Sequence, residues 1–225
     1  MSKSILLVGA TGFVGGKILN LIDDGNSKIT LLSRKKLNHK SNLKQIITNF
    51  DGIDERQGEY NYDEVYIAIG KKLSLLELLY IKKEDRNNFK KVDLEYIKKA
   101  ARYAKNNGAK SIGLISAVGA NKNSKNTYLA VKGKTEEEII SMNFNKTVIA
   151  QPGHLLGERK NESISYIIFV FEFITNFFGL LLIGPFKKFK NVDASKVAKC
   201  IVDKMNDKEY GCLLYTSDAA DERSW

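Results

Sequence analysis

At 225 residues, 43% hydrophobic and 28% charged, the chain has the make-up of a soluble globular protein with one domain, or one domain and a small appendage. A net charge of +10, supplied nearly all by lysine, comes without the interleaved basic and aromatic residues of an RNA or DNA reader. It therefore argues against nucleic acid and for attraction of a polyanionic small molecule. Cys200 and Cys212 form no metal or redox spacing, and the apolar run at residues 5–8 is too short for a secretory signal. A cytoplasmic protein with reduced thiols and no bound metal is expected.

The first element is a strand at Ile5-Leu6-Leu7-Val8, apolar throughout as in a buried parallel sheet. Gly9, Gly12 and Gly15 follow at three-residue spacing, and a helix is expected from Val14 to Asp23, stopped by Asp24-Gly25-Asn26. Strand, glycine turn and helix N-terminus together make an anion site: backbone N–H groups and the positive end of the helix dipole face the turn. Gly9 permits the sharp turn, Gly12 lets a pyrophosphate approach the backbone, and Gly15 lets helix and strand pack closely. The expected dinucleotide contacts here are Gly9, Thr11, Gly12, Phe13, Val14 and Gly15, with Thr11 offering a hydroxyl beside the phosphates.

A second strand, Lys28 to Leu32, runs into Ser33-Arg34-Lys35-Lys36. NAD sites place a carboxylate there to hold the ribose 2′-hydroxyl. A carboxylate would repel a 2′-phosphate, whereas a guanidinium pairs with it. Ser33 and Arg34 therefore favour NADP(H), with NAD the less favoured cofactor. Leu43 to Phe50 reads as strand three, with Asn49 near the adenine edge. Val65 to Gly70 reads as strand four, ending in Ile69 and Gly70 beside the cofactor. Leu73 to Tyr80 is a short helix or flap. Phe89 to Asn106 is a long amphipathic helix with Val92, Tyr96, Ile97, Ala100 and Tyr103 on one face, and Ser111 to Ser116 is strand five. This alternation predicts an α/β fold, a doubly wound parallel sheet with its ligand beyond the carboxyl ends of the strands.

After Ser116 comes a loop, then a helix near Thr127 that opens with Tyr128-Leu129-Ala130-Val131-Lys132. Tyr128 and Lys132 share a helix face. An ammonium beside the phenol is expected to lower the tyrosine pKa, making Tyr128 a proton donor, while Ser116 hydrogen-bonds a substrate carbonyl. The spacing alone carries little weight; its position after strand five, in a chain opening with a dinucleotide turn, carries more.

Together, Leu6-Leu7-Val8-Gly9-Ala10-Thr11-Gly12-Phe13-Val14-Gly15, Phe89-x-x-Val92-Asp93, Ser116-Ala117-Val118-Gly119-Ala120, Tyr128-Leu129-Ala130-Val131-Lys132-Gly133-Lys134-Thr135-Glu136 and Gln151-Pro152-Gly153-His154 resemble the atypical branch of the short-chain dehydrogenase/reductase superfamily, and within it the Tat-interacting, oxidoreductase-like proteins. The similarity covers about residues 3–211. It implies a Rossmann core binding NADP, with Ser116, Tyr128 and Lys132 in the catalytic positions. Lys132 would hold the nicotinamide ribose and tune Tyr128, and Pro152, Gly153 and His154 would pass beside the nicotinamide. The chain departs from the family pattern at Asp93, where many active relatives carry a relay asparagine, and at His154, which is bulkier than the residue common there.

Residues 164–183 are apolar but for Glu172 and lie within cap elements at about 154–190. They are expected to form a folded substrate cap or self-association face, ahead of a membrane-surface contact, with a true span least favoured. Val192 to Met205 is a final amphipathic helix. Residues 212–225 do not continue the family pattern and are expected to be a non-native tail outside the fold. Three functions compete: an NADP-dependent oxidoreductase acting between a carbonyl and an alcohol, a cofactor-binding regulatory or scaffold protein without turnover, and a membrane-surface protein.

Overall fold

Strand β1 (Ser4–Val8) shows how the sheet is made. Its residues alternate between faces: Ile5 and Leu7 enter one apolar cluster, Leu6 and Val8 the other. With both faces covered the strand needs no polar side, and its unbroken apolar run follows. The computed structural model of the chain describes residues 2–38, 43–56, 60–153, 155–156, 192–208 and 211–216.

In chain order, β1 is followed by α1 (Phe13–Ile22), β2 (Lys28–Ser33), β3 (Lys44–Ile47), a 3-10 turn (Ile53–Glu55), β4 (Glu64–Ile67) and α2 (Leu75–Leu79). One continuous helical stretch comes next: α3 (Lys83–Lys90), a π-helical segment (Lys91–Tyr96) and α4 (Ile97–Asn106). Then come β5 (Ser111–Ile115), α5 (Thr127–Ser141), β6 (Lys146–Gln151), β7 (Leu155–Leu156), β8 (Val192–Asp193), α6 (Ala194–Asn206) and β9 (Gly211–Thr216). Seven strands form one sheet in the order β3-β2-β1-β4-β5-β6-β9. Every pairing in it is parallel. β7 and β8 form a separate parallel pair. This is the Rossmann-type doubly wound fold, and the strand order reverses direction at β1, placing a crevice at its carboxyl end.

Val14, Ile18, Leu19 and Ile22 of α1 and Val197, Ala198 and Ile201 of α6 cover one face of the sheet. Ile97, Ala100, Tyr103 and Ala104 of α4 and Ile139 of α5 cover the other. The alanines of α4 let that helix lie close to the sheet. Side-chain caps fix three helix starts: Ser74 accepts from the Glu77 N–H at 3.4 Å, Asn126 from the Leu129 N–H at 3.1 Å, and Asp193 from the Ser195 N–H at 2.6 Å.

The long helix begins at Lys83, ahead of the expected Phe89. Its first turns, Lys-Glu-Asp-Arg-Asn-Asn, carry no apolar periodicity; Glu84 and Asp85 at the positive dipole end mark the start instead. The π-helical segment then turns Asp93 inward, 1% exposed, while Val92 and Tyr96 are only half-buried. An ordinary helical period does not foresee that shift of face.

The tail expectation is corrected for residues 212–216. They belong to β9, which pairs from Lys146↔Gly211 to Gln151↔Thr216 along the outer edge of β6. The stretch Cys-Leu-Leu-Tyr-Thr suits an extended conformation, and an open β6 edge supplies the partners. Residues 217–225 lie outside the described residues. So do 164–183 and nearly all of the expected cap. Among the described residues no helix is long and apolar enough to cross a membrane.

Candidate cofactor and catalytic site

The glycine turn is tight on both sides. Gly9 has φ +95°, and a Cβ there would stand 2.7 Å from the Ala68 carbonyl oxygen and 2.8 Å from the Ile69 side chain. A Cβ on Gly15 would stand 2.1 Å from the Gly9 carbonyl oxygen, so α1 packs directly on the turn. Gly12 is the N-cap of α1; it makes no side-chain cap, and no acidic residue occupies the first turn. Gly12 therefore brings no side-chain oxygen of its own to the start of α1, where backbone N–H groups and the helix dipole can receive a phosphate. These residues fit a dinucleotide's pyrophosphate. Thr11 is exposed and Phe13 half-buried. Val14 is buried in the core beside Ile18, so only its backbone can serve a ligand.

The other expected contacts end neighbouring strands on the same edge. Ser33 is buried and spends its hydroxyl proton on the Lys35 carbonyl at 2.7 Å. Arg34 is exposed at the end of β2. Asn49 is exposed and accepts from the Asp51 N–H at 3.1 Å. Ile69 is half-buried and Gly70 exposed. Pro152 is buried, and its carbonyl accepts from the Val118 N–H at 2.9 Å, which ties the loop after β5 to the end of β6. His154 lies outside the described residues.

Gly70 joins the turn to the tyrosine helix. A Cβ on it would stand 3.0 Å from Asp93 Oδ1 and 3.8 Å from Lys132 Nζ. Lys132 and Asp93 form an ion pair at 2.9 Å, with side chains 8% and 2% exposed. Asp93 Oδ2 accepts from the Lys71 N–H at 2.7 Å. The Thr135 hydroxyl meets the Asp93 carbonyl at 2.7 Å, locking the π-helical segment to α5. Burial would lower the Lys132 pKa, but the charge of Asp93, with Tyr128 behind it, holds the ammonium above its ordinary value.

The expected lowering of the Tyr128 pKa is corrected. Burial, the largest influence, raises it; Lys132 pulls it down and Asp93 pushes it up, and it ends above its ordinary value. The ring packs on Phe89 with centroids 5.8 Å apart. The sequence shows the nearby lysine but not the apolar wall of Ile81, Phe89 and Val131 beside it, nor the carboxylate that takes up the lysine's charge.

Ser116 also differs from expectation. It is 6% exposed and donates its Oγ–H to Glu136 Oε1 instead of standing free for a substrate carbonyl. Gln151 Nε2 donates to both oxygens of the same carboxylate, each at 2.9 Å. Burial raises the Glu136 pKa, with Ser116, Gln151 and Lys132 pulling back. Sequence reasoning missed Glu136 and Gln151. The available signal was spacing, since Tyr128, Lys132 and Glu136 recur every fourth residue on α5.

The strand order, the tight glycine turn and the Tyr128–Lys132 stripe define a protein of the short-chain dehydrogenase/reductase class. The chain is 32% identical over 207 residues to Protein FMP52, mitochondrial, of Candida albicans, covering 89% of this chain and 86% of that protein. It is 31% identical over 166 residues to Protein HTATIP2 of Rattus norvegicus, covering 71% of this chain and 65% of that one. The chain belongs to this FMP52 and HTATIP2 family of atypical short-chain dehydrogenase/reductases. No family model matches it. Among solved structures it resembles the Bordetella bronchiseptica enzyme WbmH in complex with NAD+, with TM-score 0.68 and 13% identity over 96% of this chain and 76% of that one, a likeness of fold. The expected cytoplasmic placement is overturned, because the FMP52 relatives are named as mitochondrial proteins. An apolar run too short for a secretory signal says nothing about delivery to an organelle.

Proposed function

We propose that the chain binds NADP(H) along the carboxyl edge of the sheet and interconverts a carbonyl and an alcohol. One observation carries the reading: the glycine-lined start of α1 adjoins, through Ala68 to Gly70, the buried Lys132 on the helix of Tyr128. The nicotinamide, when bound, supplies the two-electron transfer. The amides of α1 hold the pyrophosphate, and Arg34, at the end of β2 with no carboxylate in Ser33-Arg34-Lys35-Lys36, meets the 2′-phosphate. Lys132, fixed by Asp93, orients the ribose, while Tyr128, kept protonated by burial, gives its proton to the developing alkoxide. Ser116 stands by the reacting oxygen.

Fluorescence titration of the chain with NADPH and NADH tests the cofactor; binding of neither ends the proposal. Arg34→Ala should weaken NADPH and spare NADH, and equal losses would remove Arg34 from the 2′-phosphate. A carbonyl panel with Tyr128→Phe as control tests the chemistry. A second reading, cofactor binding without turnover, has its own support: the Ser116 proton is already engaged by Glu136, and the Tyr128 pKa is raised. NADPH binding with a silent panel favours it. The naming of the FMP52 relatives supports a mitochondrial location for this chain as well. Co-fractionation of the tagged chain with mitochondria would agree; recovery in the soluble cell fraction alone would not.

A further inference from the structure

Glu136 has no part in the chemistry above, yet partners from two strands hold it in the interior. Ser116, following β5, donates to its Oε1, and Gln151, ending β6, donates to both oxygens at 2.9 Å. Lys132, one turn back on α5, attracts its charge. On β9, Cys212 also feels that charge, which adds to burial in raising the thiol pKa. Toward solvent, Glu136 lines a shallow cavity of about 310 Å³ with Asn121, Gly133 and the Lys122–Glu137 ion pair. Protons from solvent can therefore reach the carboxylate from the side of α5.

A serine hydroxyl has one proton. While Glu136 is ionised Ser116 Oγ keeps that proton and donates it to Oε1, so Ser116 meets a ligand with lone pairs alone. When solvent protonates Glu136, the carboxyl O–H donates to Ser116 Oγ, and the serine proton turns outward. We propose that Glu136 is a positioning residue that sets the hydrogen-bond polarity of Ser116: ionised, it makes Ser116 an acceptor suited to an alcohol; protonated, it makes Ser116 a donor suited to a carbonyl oxygen. The inference rests on Ser116 standing beside the substrate, as in the proposed function. Burial places the switch above the ordinary carboxyl range, against the pull of Ser116, Gln151 and Lys132. With any carbonyl substrate, reduction should gain as pH falls through the Glu136 midpoint, and Glu136→Gln should lose that limb.

The test needs neither cofactor nor turnover, so its failure is distinct from failure of the NADPH titration. Infrared difference spectra of the full chain are recorded against pH, following the C=O stretch of a protonated buried carboxyl. The expected band vanishes in Glu136→Gln and titrates above the ordinary glutamate value of about 4.3. Ser116→Ala, which withdraws a charge-assisted hydrogen bond from the ionised form and only a weaker neutral one from the protonated form, should raise its midpoint by about one pH unit. Ser116→Thr, which restores a hydroxyl, should return it to the wild-type value. If Glu136→Gln does not fold, the Ser116→Ala and Ser116→Thr pair identifies the band by its shift. A spectrum with no such band, or a midpoint that Ser116→Ala leaves unmoved, overturns the proposal.

Discussion

Replacing Asp93 by alanine withdraws the carboxylate that meets Lys132 at 2.9 Å. Both side chains are almost wholly buried, so the ammonium is left in the interior facing no opposite charge from that side. Breaking a buried pair this way costs about 3–5 kcal/mol. The Lys71 N–H loses its acceptor too, but it is only part-buried and water can replace it. For a domain of this size each kcal/mol moves the melting temperature by roughly 2–4 °C, so the variant should melt roughly 6–20 °C lower. The pH dependence is the sharper reading. In the wild type Lys132 is held above its ordinary value, so its stabilisation is present at neutral pH and is lost as pH rises through the folded value. In the variant burial acts without Asp93 and lowers the pKa, so the unfolded chain binds more protons and stability rises with pH below about 10.4. Calorimetric melts from neutral to alkaline pH compare the two slopes. Adding Lys132→Met to the variant should recover much of the loss by removing the unpaired charge. A variant melting within about 2 °C of wild type, or one whose melting temperature does not climb with pH, would refute the reasoning.

Three further outcomes are expected. Gly15→Ala would set a methyl 2.1 Å from the Gly9 carbonyl oxygen, so α1 must shift outward; a loss of about 1–3 kcal/mol in urea unfolding should accompany loss of NADPH binding. Asn126→Ala removes both the α5 cap and the side-chain bonds to the Leu78 and Leu79 carbonyls at 2.9 and 3.0 Å; it should cost about 0.5–2 kcal/mol and speed hydrogen exchange in α2 and the first turn of α5. Deleting residues 212–225 strips β9 from the β6 edge, at about 1 kcal/mol for each ladder hydrogen bond lost, and should lower the melting temperature. A truncated chain that melts like the full one would return those residues to the status of a tail.

The first half of the fold is legible because each signal there is local. Val8 to Gly15 combines an apolar run with glycines at positions where a Cβ would strike the Gly9, Ala68 or Ile69 atoms, so pattern and structure report the same constraint. The end of β2 is legible for the same reason: Ser33 closes the strand and Arg34 follows it directly. Asp93 is not, because its burial depends on a π-helical segment, and no period in Lys-Val-Asp-Leu-Glu-Tyr announces one. Nor is Glu136. On α5 it reads as one of three consecutive glutamates, and only β5 and β6, folded beside it, distinguish it from exposed Glu137. The β9 pairing of residues 212–216 is not legible either, because it depends on an unpaired β6 edge that only the folded sheet presents.

The two buried carboxylates divide the tyrosine helix between them. Asp93 bears on Lys132 and so on the phenol one turn earlier; Glu136 bears on Ser116 across the sheet edge. Their hydrogen-bond partners differ in kind. Asp93 faces an ammonium and a backbone N–H, and through them fixes geometry. Glu136 faces a hydroxyl and an amide, neutral donors that leave compensation of its charge, among the described residues, to Lys132, and burial raises its pKa. Lys132 thus serves two acids unequally, bonded to one at 2.9 Å and merely near the other. It follows that Lys132→Met should disturb both, stranding Asp93 and lifting the Glu136 midpoint further. A carboxyl band that shifts in Ser116→Ala but not in Lys132→Met would show that Glu136 answers to the serine alone.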